Sequence, residues 1–342
     1  MWYTINMMKT RENGLDIIKA LATLFVVCVH FYLSVGYYQT PIISNKMYAM
    51  TFFRWGFMTA VPLFLMCTGY FKVNKTVSKS HYMSLIPILI TYFILCTIRM
   101  IVENAVYGQI HTLKSGIQSL LNYQCAWYVG MYIGLMLICP FLNKIWHGCN
   151  EKEHKILVVS FIAITMIYPI TLYVFSSYFQ FIYPLTYYFL GAYIREYRPK
   201  VNRILLLGII AMCMGVNSLI TIFYAKGGPF VPGIFASVDN GQNTITIAVC
   251  AVSIFLLFYD LTIKNNVVAT LFKSASNCSL EIYLLQAAFN AVIYTYLGRR
   301  VAAGAENYFW LFFITVPASF GLSWLASAIY KWGYNLISKR FF

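Results

Sequence analysis

One stretch restricts what this chain can fold into more than any other: residues 11–36, with the sequence RENGLDIIKALATLFVVCVHFYLSVG. It begins at a charged edge and then stays apolar for about one membrane thickness, which is typical of a transmembrane helix. Three ionisable residues interrupt it, Asp16, Lys19 and His30. Lys19 and His30 are almost three full helical turns apart and Asp16 lies one turn below Lys19, so the three share one face. Because ionisable groups are costly in lipid, we expect this face to line a cavity or pathway inside the protein.

The composition extends this expectation to the whole chain. Of its 342 residues, 60% are hydrophobic and 10% are charged, whereas soluble domains carry about a quarter charged residues. Backbone groups in lipid must be hydrogen-bonded within their own segment, so long apolar runs predict helices rather than an open sheet. The predicted fold class is an all-α integral membrane bundle, formed by residues 1–342 as one membrane-embedded domain without a separate soluble domain.

About ten apolar segments are candidates for the transmembrane helices. They cover residues 16–36, 52–71, 82–103, 126–142, 156–176, 180–195, 203–224, 243–262, 278–297 and 308–330. With the N-terminus in the cytoplasm, seventeen of the 25 Lys and Arg residues fall in cytoplasmic segments, six fall in outer segments, and Lys19 and Arg99 lie within the membrane. The positive-inside rule therefore predicts two cytoplasmic termini. The longest predicted outer loops are residues 104–125 and 225–242.

The charge and the cysteines exclude two other classes of partner. The net charge of +15 comes from basic residues spread over short inter-helix segments, which membrane topology explains better than nucleic-acid binding. The nine cysteines lie mostly in apolar runs without a C-x-x-C motif or a Cys/His cluster. They are interpreted as small apolar packing residues, and we expect no metal site.

Two groups of polar residues are candidates for chemistry. His30 lies in the predicted outer half of the first helix, where a neutral imidazole is suited to take a proton from a hydroxyl near pH 7; a packing role is the alternative. Lys19 with Lys72 and Lys75 forms a basic cluster at the predicted inner face, suited to an anionic cofactor. The alternatives are that Lys19 extends to the interface and that the loop lysines only set the topology.

Four further residues are possible cavity-lining groups: Arg99, Trp127, Glu281 and Gln286. Arg99 precedes Glu103 by four residues, which equally predicts a structural ion pair on one helix. Glu281 lies near the predicted cytoplasmic end of its helix, where it either lines a cavity or lies at the interface.

Several of these segments resemble the membrane acyltransferase 3 family, which includes polysaccharide and O-antigen O-acetyltransferases. The opening helix matches the family pattern in Leu15-Asp16, Lys19 and His30. Thr68-Gly69 followed by Lys72 and Lys75 is similar to its second signature, a basic-x-x-basic element. The segment AWYVGMYIGLMLICPFL resembles the family's Trp-led helix, and YPLTYYFLGAYI and SLEIYLLQ are similar to later segments. Lys replaces the commoner Arg in both basic elements, and Gln286 stands where the late segment often has His.

The resemblance implies transfer of an acyl group, usually acetyl from acetyl-CoA, to a hydroxyl of an extracytoplasmic glycan or lipid-linked sugar. Lys19, Lys72 and Lys75 would bind the phosphates of acyl-CoA. His30 and Asp16 are the predicted catalytic residues, His30 as general base or transient acyl carrier and Asp16 as a partner of the basic cluster. The implied location is a bacterial cell membrane, crossed several times, with membrane lipid and the two substrates as partners and no nucleic acid.

Two other functions fit the same residues less well. In a transporter or flippase for a lipid-linked sugar or small anion, the line of ionisable residues would be a permeation path, but no inverted repeat or matched pair of interrupted helices is visible. A scaffold or sensor would give no reason for placing Lys19 and His30 on one face.

Overall fold

The computed structural model describes residues 13–167, 176–231 and 241–341. These residues form fourteen α-helices and short 3-10 turns, without a strand. The helices are α1 Asn13–Ser34, α2 Asn45–Phe57, α3 Ala60–Lys72, α4 Lys79–Met83, α5 Ile86–Tyr107, α6 Leu113–Leu121, α7 Trp127–His147, α8 Glu151–Met166, α9 Tyr183–Tyr197, α10 Arg203–Ala225, α11 Ile245–Phe258, α12 Asn266–Asn277, α13 Ser279–Gly298 and α14 Phe312–Phe341. The all-helical prediction is confirmed for this part of the chain.

Six helical stretches in the described ranges are long and apolar enough to cross a membrane, which is the character of a membrane protein. They are Asn13–Ser34, Asn45–Lys72, Lys79–Tyr107, Trp127–His147, Arg203–Ala225 and Phe312–Leu336. Each of the ten predicted spans overlaps a helix, but the number ten and the orientation of the termini stay predictions. Residues 168–175 of the predicted span 156–176 and half of the predicted loop 225–242 lie outside the described residues.

The second span is broken into α2 and α3, which the sequence prediction did not include. The N–H groups of Met58 and Thr59 donate to the carbonyls of Arg54 and Gly56 and close the end of α2. A new helix then begins at Ala60, with Pro62 in its first turn, where the missing N–H of proline costs no helical bond. The break places Met58 and Ala60 in the wall of the cavity described below.

Two helices lie in segments that were predicted as connections. α6 occupies the predicted outer loop 104–125 and begins with a capping box between Thr112 and Ser115. α12 follows α11 and is capped by Asn265, whose side chain accepts from the N–H groups of Val267 and Val268. Both helices have one apolar face. Both helices are shorter than a membrane span, so they contain no long apolar run from which the sequence could predict them.

Helices α3 and α9 cross with their backbones in contact. A Cβ atom placed on Gly69 would lie 1.9 Å from the carbonyl oxygen of Tyr188, and one placed on Gly191 would lie 2.0 Å from the carbonyl oxygen of Met66. Only glycine allows this approach, which is a common way for membrane helices to pack closely. The crossing holds α9 directly against α3, one of the helices that line the cavity.

Candidate active site

A cavity of about 930 Å³ lies between the helices. This volume is at the upper end of the range of small-molecule sites, about 300–1,000 Å³. The first helix supplies Lys19 and His30 to its wall, and α3 supplies Thr68 and Lys72. Aromatic rings form much of the remaining surface: Phe57, Phe64, Phe71, Trp127, Tyr128, Tyr132, Tyr183 and Tyr283.

The polar groups are separated along the cavity. Lys19 and His30 are eleven residues apart on α1, a rise of about 16 Å at 1.5 Å per residue. The stretch from the end of α2 through α3 runs antiparallel to α1: the ring centroids of Phe25 and Phe57, the last residue of α2, lie 5.4 Å apart, while Lys19 interacts with Cys67 of α3. Lys72, at the end of α3, therefore lies at the Lys19 end. The cavity has a basic end at Lys19 and Lys72 and a histidine end at His30.

Asn143 of α7 holds the chain where it leaves α3 at the basic end. Its side-chain amide donates to the carbonyl oxygens of Lys72 at 2.7 Å and Lys75 at 2.6 Å, and its own oxygen accepts from the hydroxyl of Tyr188 at 2.6 Å. His147, one turn further along α7, contacts the carbonyl oxygen of Val73 at 3.0 Å. These contacts fix the backbone from which both lysines project.

Lys75 does not line the main cavity. It lies in a separate recess of about 310 Å³ whose wall also includes Asn74, Lys144 and His147. Since Asn143 bonds the carbonyls of both lysines and itself borders the recess, the recess begins beside the basic end of the main cavity. The predicted basic cluster is therefore divided between two neighbouring sites.

At the histidine end, the side chain of Gln286 contacts His30. The amide nitrogen of Gln286 on α13 is hydrogen-bonded to Nδ1 of the imidazole. Because an amide N–H can only donate, Nδ1 accepts, and a neutral imidazole in this arrangement carries its proton on Nε2. Nε2 is then the ring nitrogen left for the cavity, into whose wall His30 projects.

A chain of uncharged groups continues behind Gln286. The amide nitrogen of Asn290 donates to Oε1 of Gln286 at 3.1 Å, and the hydroxyl of Ser319 on α14 donates to Oδ1 of Asn290 at 2.7 Å. Gln286 and Ser319 are fully buried, and Asn290 is 6% exposed. The hydrogen-bonded chain that begins at His30 and runs into the protein interior thus consists of two amides and one hydroxyl.

Aromatic residues surround His30 on the cavity side. The ring centroid of Tyr283 lies 6.3 Å from that of His30, and Tyr128 lies 6.1 Å from Tyr283. The predicted Trp127 is next to Tyr128 at the start of α7 and lines the cavity. Flat rings of this kind are suited to pack against an apolar chain or the face of a sugar.

Tyr183 and Gln242 add a polar contact to the cavity wall. The hydroxyl of Tyr183 donates to Oε1 of Gln242 at 2.9 Å, and Tyr187 donates to the backbone oxygen of the same residue at 2.6 Å. Both Tyr183 and Gln242 line the cavity. Neither was singled out from sequence, because a tyrosine and a glutamine at helix starts have no recognisable spacing.

The remaining predicted site residues lie behind the cavity wall. Asp16 is 6% exposed and is about 21 Å along the α1 axis from His30, which excludes direct contact between the two side chains. Arg99 forms an ion pair with Glu103 at 2.7 Å and donates to the carbonyl of Cys125 at 2.6 Å. Glu281 is paired with Lys331 at 3.3 Å.

No group of three or more His, Cys, Asp or Glu side chains in the described part of the chain is arranged to hold a metal ion. The polar groups that the cavity and its surroundings do provide are the imidazole of His30, the ammonium groups of Lys19 and Lys72, and the amide and hydroxyl groups around them.

Comparison with known proteins gives one match. A family model described as an acyltransferase domain, of the acyltransferase 3 type, matches residues 12–328. This range contains α1 from its first residue, the basic end, the histidine end and most of α14. No match was found among curated proteins or among solved structures.

Proposed function

The chain belongs to the acyltransferase 3 family, and on this premise we propose that it is an integral membrane O-acyltransferase. It transfers an acyl group, acetyl in the first instance, from acyl-CoA to a hydroxyl group of an extracytoplasmic glycan or lipid-linked sugar. The observation that carries the proposal is the single cavity that has lysines at one end and a histidine about 16 Å away at the other.

The basic end suits the donor. The phosphates of CoA are anionic, and Lys19 and Lys72 offer two ammonium groups within one cavity. Lys75, in the adjoining recess with Lys144, offers further positive charge for the part of CoA that extends beyond the cavity. The uncharged pantetheine arm would then follow the aromatic wall, which brings its thioester towards His30.

The histidine end suits the transfer step. Nε2 of His30 takes the proton of the acceptor hydroxyl while the oxygen forms a bond to the thioester carbonyl carbon. The carbon–sulfur bond then breaks, and the CoA thiolate leaves with a proton returned by the imidazolium. If the acyl group first passes to His30, Nε2 is the attacking atom instead. Both routes need a lone pair on Nε2.

The positive-inside count supports an orientation in which the basic end faces the cytoplasm, where acyl-CoA is made, and the histidine end faces the acceptor. Reporter fusions or cysteine labelling at each terminus test this orientation. Both termini are expected in the cytoplasm, and an external terminus would reverse the proposed direction of transfer.

The function is tested with purified protein in proteoliposomes supplied with acetyl-CoA and a panel of glycan acceptors. We expect acceptor-dependent release of free CoA thiol and an equal amount of acetylated acceptor. If the protein moves a labelled glycan acceptor across the bilayer without releasing CoA thiol, it is a transporter and the proposal fails. The glycans of the panel that become acetylated then show which kind of sugar hydroxyl the protein modifies.

A further inference from the structure

General-base or nucleophilic chemistry at His30 needs the lone pair on Nε2, whereas the hydrogen bond to the amide nitrogen of Gln286 leaves the proton there. Rotation of the Gln286 amide by 180° would move the proton from Nε2 to Nδ1 and so meet the need for a lone pair on Nε2. With Oε1 of Gln286 facing the ring, Nδ1 becomes the donor and Nε2 is left with its lone pair. The same orientation is required once the imidazole is protonated, because both ring nitrogens then donate.

The groups behind Gln286 allow this reversal without leaving a partner unsatisfied. Gln286 and Asn290 each carry an amide oxygen and an amide nitrogen, so each keeps its hydrogen bonds when both turn together. Asn290 would then donate to the hydroxyl oxygen of Ser319 rather than accept from it. The hydroxyl proton of Ser319 needs a new acceptor, and α14 provides one.

The serines of α14 identify that acceptor. Ser323 and Ser327 lie one and two turns beyond Ser319, and each donates to the backbone carbonyl four residues earlier at 2.6 Å. A serine in a helix adopts this bond readily. By the same geometry the hydroxyl of Ser319 can turn from Asn290 to the carbonyl of Thr315.

We infer that Gln286, Asn290 and Ser319 form a reversible hydrogen-bond relay that positions His30 and sets which of its ring nitrogens carries the proton. This inference rests on the proposed function. With the amide nitrogen of Gln286 facing the ring, His30 presents an N–H to the cavity. With Oε1 of Gln286 facing the ring, His30 presents the lone pair on Nε2 that takes the proton of the substrate hydroxyl. Gln286 is a positioning residue, because it acts on the substrates only through His30.

The relay differs in charge from a histidine paired with a carboxylate. All three groups are neutral, so the imidazolium formed during transfer is held by amide dipoles rather than by a negative charge. Among the described residues, the ring of Tyr283 on α13 lies beside His30, and the charge of Arg99 on α5 acts on the imidazole from further away. Arg99 is itself paired with Glu103. None of these supplies a carboxylate at hydrogen-bonding distance from Nδ1.

The first test replaces Gln286 and measures transfer with purified protein. In Gln286→Leu, Nδ1 loses its partner, and kcat should fall roughly 10- to 100-fold, the cost of one buried hydrogen bond. The KM for acetyl-CoA should stay within about twofold of wild type, because the basic end is untouched. An unchanged kcat in a folded Gln286→Leu protein would overturn the relay.

The second test uses Gln286→Glu and reads the pH profile. A carboxylate stabilises the protonated imidazole, so the acid limb of kcat/KM should move to higher pH while turnover recovers on the alkaline side. A residue that only fills space would leave that limb where it is in wild type. Superimposable profiles for wild type and Gln286→Glu would therefore contradict the inference.

The third test compares two serines on the same face of α14. Ser319→Ala removes the end of the relay, and kcat should fall by roughly three- to tenfold, since the loss acts through two intervening amides. Ser323→Ala removes an equally buried hydroxyl that bonds only the carbonyl of Ser319, and kcat should not change. Equal losses in both variants would indicate a packing effect and overturn the relay.

These outcomes are separable from a failure of the proposed function. If wild-type protein consumes no thioester, or if His30→Ala transfers normally, then the proposed function fails before the relay is tested. If transfer depends on His30 but tolerates Gln286→Leu, with Gln286→Glu and Ser319→Ala agreeing, the function stands and the relay is wrong.

Discussion

The two ends of the cavity solve the same problem, a polar group inside a membrane protein, in opposite ways. At the basic end, the side chains of Lys19 and Lys72 line the cavity and are partly exposed. At the histidine end, His30 is connected to buried neutral amides and a hydroxyl. Under the proposed function, the difference teaches that a site for an ion is lined by lysines, whereas a site for proton transfer is supported by neutral groups.

The residues that hold the two ends in place also differ: one bonds the backbone and the other bonds a side chain. Asn143 fixes the chain at the basic end through the backbone carbonyls of Lys72 and Lys75, so these hydrogen bonds do not use the ammonium groups of the two lysines. Gln286 contacts the imidazole itself, so the ring is held in one place. Ion binding tolerates side-chain movement, whereas proton transfer needs a donor and acceptor within about 3 Å. Substitutions at the two ends should therefore affect different kinetic constants.

The largest effect is expected from His30→Ala. Loss of a positioned general base typically lowers the rate by about 10²–10⁴, and kcat should fall by at least that order while acetyl-CoA still binds. His30→Asn should fail as well, because asparagine can hydrogen-bond but cannot take the proton. The measurement is acyl transfer by purified variants shown to bind the donor. Near-wild-type turnover in either variant would make His30 a packing residue.

A smaller effect on a different constant is expected at the basic end. Lys19→Ala and Lys72→Ala each remove a charged donor to phosphate, worth about 1.5–3 kcal/mol, so the KM for acetyl-CoA should rise about 10- to 100-fold. The kcat at saturating donor should change little. Lys72→Arg is the matched control and should bind normally, since it keeps the charge and the donors. A fall in kcat with unchanged donor binding would break the division between the two ends.

The smallest effect is expected from Lys75, which lies in the adjoining recess. Lys75→Ala should raise the KM for acetyl-CoA about two- to fivefold, within the range for an ion pair near solvent. The effect should shrink further at 0.5 M salt, because exposed charges are screened. Lys79→Ala, on the same segment but outside both cavities, is the matched control. Equal effects at Lys75 and Lys79 would assign Lys75 to topology alone.

The sequence predicts one side of this site well. The spacing of Lys19 and His30 on an apolar run was sufficient to place both on one helix face, because helical periodicity is local. The same reasoning could not find Gln286 as a partner of His30, because the two residues are 256 positions apart and meet only when α13 packs on α1. From the sequence, Gln286 was a possible cavity-lining residue and a departure from a family pattern, but not a partner of His30.

The residues that hold the basic end in place could not be predicted from the sequence for a similar reason. Asn143 and Tyr188 stand in apolar helices without a motif, and their bonds to the α3 end depend on how α7 and α9 pack. The break between α2 and α3 was missed because the whole stretch is apolar and its one cue, Pro62, is tolerated in an unbroken membrane helix. Local rules predicted the helices, and long-range packing decided their contacts.

The glycine crossing of α3 and α9 also constrains how the molecule is assembled. Gly69 and Gly191 are far apart in sequence, and α5, α7 and α8 are synthesised between them. Asn143 and His147 of α7 precede α9 in the chain, but the hydroxyl of Tyr188, which donates to Asn143, arrives only when α9 has been made. During translation the chain therefore passes through a stage in which Lys19, Lys72 and Asn143 are present but the hydrogen bond from Tyr188 to Asn143 is not yet formed. Under the proposed function, the donor end is thus completed late in synthesis, although its lysines are among the first residues of the site to be made.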